Sequence, residues 1–167
     1  MYKIHKIGGA CIINNDIHAI VVMEDYSSAA TDRLADFDVL SKERRKVCAI
    51  HIGGVYIECL LKAMLCCANN VTEVENRSNK WIINEVEIYR PSHLLTTGPL
   101  RDYLPSIYED MPEDVLHSLE YIACPNDIDY ISYRYVSSAT VSDEEYDEWY
   151  CNFINVFDYL QEKKREL

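Results

Sequence analysis

The chain has 167 residues, 49% of them apolar, with five glycines and five prolines. That size gives one domain with a real core, and that composition excludes an intrinsically disordered chain. A formal net charge of −12 excludes a non-specific nucleic-acid coat, since phosphate backbones are repelled unless positive charge is locally concentrated.

Residues 1–24 read as a separate N-terminal segment. The run "ACIINNDIHAIVVM" sets two β-branched stretches around Asn14-Asn15-Asp16, the pattern of a β-hairpin. It is equally compatible with an apolar tail that docks on a partner. "MYKIHKIGGA" lacks the basic start, apolar middle and small-residue cleavage site of a secretory signal. The seven cysteines fall mostly in apolar runs (Cys48, Cys59, Cys66, Cys67, Cys151), which predicts reduced, buried thiols in a cytoplasmic protein.

The helical period begins at Asp25. Tyr26, Ala30, Leu34 and Phe37 recur on one face, which predicts a helix over 25–43. The basic run "KERRK" at 42–46 follows it. A second basic run, "KKR" at 163–165, suits the negative end of a final helix, so a narrow RNA site in a cleft rests on other residues.

"CAIHIGGVYIECLLKAML" lies within a second helix, 46–68, apolar all the way round and so the central, buried one. Gly53-Gly54 in its interior predicts that another backbone passes close by. Glu58 and Lys62 are spaced i,i+4 in the better orientation for an ion pair. Amid apolar neighbours that pair must face a cleft, the bundle's edge or an interface. A bilayer span of this length would bury both charges at about 2–3 kcal/mol each, so no membrane is expected. Arg44 and His51, two turns apart, share a face; Cys48 lies within reach of His51. Arg with His can cleave RNA, and a lone His on an apolar helix can equally be a satisfied core residue.

Residues 70–91 are mixed and polar, and read as a loop anchored by Trp81-Ile82-Ile83. Ser92 can cap a short turn through Leu95. Pro99 suits the first position of a helix through Leu104. Asp110 and Glu113 make a capping-box pattern around Pro112, ahead of the stripe Val115, Leu116, Leu119 and Ile122, closed by Pro125. "NDIDYISYRYVSS" is extended in character. Its Tyr133, Arg134 and Tyr135 can stack a base and grip a phosphate, or lock this connection onto the bundle. Ser142 and Glu145 form a second capping box, opening a helix over 143–164 with Tyr146, Trp149, Phe153, Val156 and Leu160 on one face.

These elements sum to an all-α, antiparallel up-and-down bundle of about five helices over residues 25–167, preceded by the short β-like or docking segment. No metal-ligand spacing, phosphate loop or nucleophile elbow occurs, so no metal and no cofactor are expected.

The order "DRLADFDVL", "AIHIGGVYIECLLKAML", "HLL" and "YRY" before a long final helix resembles the HEPN domain family. The matching positions are Arg33 and Asp36; Ala49, Gly53, Glu58, Leu61, Lys62 and Ala63; His93-Leu94; and Arg134-Tyr135. The resemblance covers about residues 25–162. It implies a helical bundle that homodimerises, acting as a metal-independent RNase or as an inactive partner- or nucleotide-binding module, often beside a nucleotidyltransferase in toxin–antitoxin or defence systems. Active members carry Arg, four to six residues, then His, late in the chain. Here no histidine follows His117, and the Arg45–His51 spacing falls on an earlier helix. The expectation is therefore a non-catalytic module binding a nucleotide or partner through Glu58, Lys62, Tyr133 and Tyr135. The alternative is an RNA endonuclease with a divergent catalytic site built from Arg134 and His93, with Glu58 as a further candidate, across a dimer cleft.

Overall fold

The computed structural model describes residues 5–7, 10–12, 25–69, 71, 80–83, 86–89, 93–137 and 140–167. They form an all-α bundle with two small hairpins. In chain order these are β1 (His5–Ile7), β2 (Ala10–Ile12), α1 (Tyr26–Lys42), α2 (Lys46–Ala68), β3 (Lys80–Ile83), β4 (Val86–Tyr89), α3 (Pro99–Asp102), α4 (Pro105–Tyr108), α5 (Glu113–Ala123) and α6 (Asp143–Lys164). Single 3₁₀ turns lie at Pro125–Asp127 and Ser132–Tyr135.

α1 starts where Asp25 accepts the backbone N–H of Ser28, and buries Tyr26, Ala30 and Phe37. α2 is the central helix: Ile57, Leu61 and Leu65 are wholly buried, and α1 packs along it. Among the described residues it is the one helix long and apolar enough to cross a membrane, and 67% of that window is buried inside the bundle. α6 opens with the expected reciprocal box, Ser142 and Glu145 each accepting the other's backbone N–H. It buries Tyr146, Trp149, Phe153, Val156 and Leu160, and α5 packs beside it with Val115, Leu119 and Ile122 inward.

Several expectations are corrected. The stretch read as a loop contains a hairpin, β3 antiparallel to β4, with Trp81 opposite Ile88 and Ile83 opposite Val86. Lys80 and Glu87 masked a period-two pattern that pairs β-branched and aromatic residues across the strands. Trp81 is buried as expected. β2 pairs with β1, His5 opposite Ile12; the expected partner beyond Asn14-Asn15-Asp16 lies outside the described residues, as does Ser92. The helix from Pro99 ends at Asp102, and Pro105 opens a further turn, α4. α5 starts two residues later than a box at Asp110 requires. Pro112 takes the N-cap position with no side-chain cap, and Asp110 lies 3.8 Å from Lys163 instead.

"SYRY" is a 3₁₀ turn rather than extended. The Asp129 carboxylate accepts the Ile131 N–H at 2.7 Å and its carbonyl accepts the Ser132 N–H at 2.8 Å, so the chain coils locally. None of the six cysteines with described side chains is buried: Cys59 and Cys66 are partly covered and the others are exposed.

Gly53 and Gly54 admit rings, not the expected backbone. A Cβ on Gly53 would sit 2.5 Å from Trp149 Cη2 and 3.2 Å from Phe37 Cε2; one on Gly54 would overlap the Tyr130 ring and lie 2.9 Å from Tyr130 Cβ. Gly54→Ala therefore has to move Tyr130 bodily. Each alanine substitution should destabilise by about 1–3 kcal/mol in urea titrations, Gly54→Ala the more, despite a helix-propensity gain of about 1 kcal/mol. Equal or higher stability in Gly54→Ala would show that Tyr130 is not held there.

Candidate functional site

One face of α2 carries His51, Gly54, Glu58 and Lys62, at spacings that keep them in line along the helix. Tyr130, from the connection between α5 and α6, lies against Gly54. From there it reaches both ways along α2. Its hydroxyl donates to Glu58 Oε2 at 2.7 Å, and its backbone carbonyl lies 3.0 Å from His51 Nδ1.

Glu58 and Lys62 are 5% and 2% exposed. Lys62 Nζ donates to Glu58 Oε1 at 2.5 Å, and its charge lies 5.3 Å from the centre of the Tyr26 ring, which in turn packs on Trp81. His93 Nδ1 donates to Glu58 Oε2 at 2.8 Å, while its side chain stays 58% exposed. Burial pushes the Glu58 carboxyl up, but the Lys62 ammonium and the hydrogen bonds from Lys62, Tyr130 and His93 outweigh it and hold the group below its ordinary value. The same contacts act oppositely on Tyr130, whose hydroxyl is pushed far up by burial and by the Glu58 carboxylate.

Beside this cluster a cavity of about 610 Å³ opens at the start of α2. One wall is the α1–α2 link and the first turns of α2: Arg44, Arg45, Lys46, Cys48 and His51. The other is the 3₁₀ turn and its exit: Tyr133, Arg134 and Val136. A carbonyl oxygen can only accept, so His51 Nδ1 carries the proton donated to Tyr130. In the neutral ring Nε2 is then left as the acceptor.

The cations here differ in their partners. Arg44, held at φ 53°, forks onto Asp147 and Asp143 at 2.8 Å each and lies over the Tyr146 ring. Lys46 is 3.5 Å from the same Asp143, whose carboxyl is held low, chiefly by the Arg44 hydrogen bond. Arg45 and Arg134 make no ion pair among the described residues; Arg134 lies 4.8 Å over the Tyr135 ring. Arg45 is the N-cap of α2 with no side-chain cap, so the amides of the first turn face the cavity end without a cap acceptor.

The chain matches no family model, no curated protein and no solved structure. Its chemistry must be read from the site itself.

Of the residues singled out in the sequence, Glu58, Lys62 and His93 meet in the buried cluster. Tyr133 and Arg134 line the cavity, with the Tyr133 hydroxyl committed to the Pro125 carbonyl. Tyr135 is 79% exposed and supports Arg134. Within one chain, the histidine beside Arg134 in the cavity is His51, and His93 bonds Glu58. Lys46 was legible only as part of a basic run, Arg45 also by its spacing to His51, and Arg44 shares the cavity with His51 although it precedes the helix. Among the described residues no group of three or more His, Cys, Asp or Glu is placed to hold a metal ion.

Removing one partner of a buried ion pair leaves the other charge uncompensated. Glu58→Gln should cost about 3–5 kcal/mol, and adding Lys62→Met should recover part of it. Because the native carboxyl is lowered, its contribution is complete above the ordinary glutamate value and is lost as pH falls through the native one. Urea unfolding across the acid range should show that loss in the wild type and a flatter profile in Glu58→Gln; parallel profiles would contradict the arrangement.

Proposed function

We propose that this protein is a HEPN-like, non-catalytic nucleotide-binding module whose ligand places its phosphate in the cavity at the start of α2. The observation that carries this reading is a reversal of charge. In a chain of net charge −12, two guanidiniums from different elements, Arg45 and Arg134, line one cavity with no carboxylate partner among the described residues. A planar guanidinium is suited to gripping phosphate oxygens through paired N–H donors. Val47, Ile52 and Val136 supply apolar lining for a base or sugar, and the volume lies within the roughly 300–1,000 Å³ usual for small-molecule sites. The HEPN resemblance adds a homodimer, with a nucleotidyltransferase or other protein partner in a toxin–antitoxin or defence setting; the cysteine-rich apolar runs add a cytoplasmic location.

One observation favours the alternative of a metal-independent RNA endonuclease. His51, with Nδ1 tied to a carbonyl, shares the cavity with Arg45 and Arg134. Nε2 could take the proton of a ribose 2′-hydroxyl while the guanidiniums hold the attacked phosphate, leaving a cyclic phosphate.

Two assays separate these readings. Binding of a fluorescent adenosine monophosphate should weaken about tenfold or more in Arg45→Ala and in Arg134→Ala, a loss matching one charge-assisted contact each, and stay unchanged in Lys163→Ala at the far end of α6. Binding indifferent to both arginines would remove the proposed site. RNA incubated in excess EDTA should remain intact; cleavage lost in His51→Ala and Arg134→Ala but kept in His93→Ala would establish the endonuclease.

A further inference from the structure

The charge balance inside the cavity goes further than the presence of a phosphate. Arg44, Arg45, Lys46 and Arg134 line it. Asp143 and Asp147 already pair with Arg44 and Lys46. Among the described residues Arg45 and Arg134 have no carboxylate partner, so two positive charges remain. Both side chains are exposed and open to a ligand, and electrostatic complementarity is fullest when that ligand carries two negative charges in one place.

A phosphodiester carries one negative charge. A phosphomonoester, with a second pKa near 6, carries close to two at neutral pH and three terminal oxygens to share between two guanidiniums. The uncapped first turn of α2, a helix of 23 residues, adds backbone N–H donors on the same side. Length is limited as well. Asp143 and Asp147 stand next to the cavity at Arg44, and with Glu144 and Glu145 in the first turns of α6 they repel a polyanion passing within a Debye length of about 8–10 Å.

We infer that the cavity selects a dianionic phosphomonoester on a mononucleotide, in preference to the phosphodiester of a cyclic nucleotide or of an RNA strand. This rests on the nucleotide-binding reading above and narrows it to one phosphate chemistry.

The test is calorimetry on the full chain with three probes at about pH 7.5, where the monoester is dianionic: adenosine 5′-monophosphate, adenosine 3′,5′-cyclic monophosphate and a short 5′-phosphorylated oligoadenylate. The first two share base and sugar and differ in phosphate charge. The monophosphate should bind about tenfold or more tightly than the cyclic ester, the loss of one charge-assisted contact. Arg45→Ala or Arg134→Ala should shrink that ratio toward one, because each leaves a single unmatched cation. Lys163→Ala should preserve it. Cyclic ester binding as well as the monophosphate would overturn this inference and leave the nucleotide site standing. The oligonucleotide binding more tightly than the mononucleotide would also overturn it, assigning the site to RNA 5′ ends. No binding of any probe would instead remove the nucleotide-binding reading itself.

Discussion

A carboxylate and an ammonium buried together on one helix impose the strictest demand in this molecule. Glu58 and Lys62 are tolerated inside the bundle only because the carboxylate's oxygens are matched, Oε1 by Lys62 and Oε2 by Tyr130 and His93. That demand fixes Tyr130, and Gly54 makes room for it. Once Tyr130 is seated, the turn that follows it is seated too. The Tyr130 carbonyl holds His51, and three residues later Tyr133 and Arg134 close the cavity opposite the start of α2. The buried ion pair is thus a structural pin for the wall of the cavity.

The second constraint is electrostatic. Arg44 is placed by Asp143 and Asp147 on α6 and by the face of Tyr146, so α6 holds the α1–α2 link in position. This leaves the neighbouring Arg45 and the opposing Arg134 as the cations lining the cavity that have no carboxylate partner among the described residues. In an acidic chain a cationic recess attracts small anions while the rest of the surface repels extended ones. Placing the cations at a helix N-terminus adds to the effect in the same direction.

Much of the fold was legible in the sequence because its signals are local. The stripe of α1, the apolar circumference of α2 and the Ser142–Glu145 box of α6 each lie within a few residues of one another and mean the same thing in any context. The hairpin of β3 and β4 was obscured because its strands are four residues each and carry charges among their apolar positions. The turn at Ser132–Tyr135 depends on one carboxylate, Asp129, acting on its own backbone, and the start of α5 on which residue beside Pro112 takes the cap. The site was harder still. Glu58–Lys62 was visible from spacing, but its link to Tyr130 is not. No local pattern tells that Arg45 and Arg134, from distant parts of the chain, line one cavity with His51. Spacing along the chain does not tell that His51 meets the Tyr130 carbonyl while His93 meets the Glu58 carboxylate.

The central claim is that a phosphate-bearing ligand sits between the start of α2 and the turn after Tyr130. The most direct measurement is a two-dimensional NMR titration of the full chain with adenosine 5′-monophosphate, following backbone amides and arginine side-chain N–H groups. The account predicts saturable shifts concentrated at residues 45–52 and 133–136, with the Arg45 and Arg134 guanidinium signals moving most. Shifts confined to other elements, or no saturable shift at all, would contradict it.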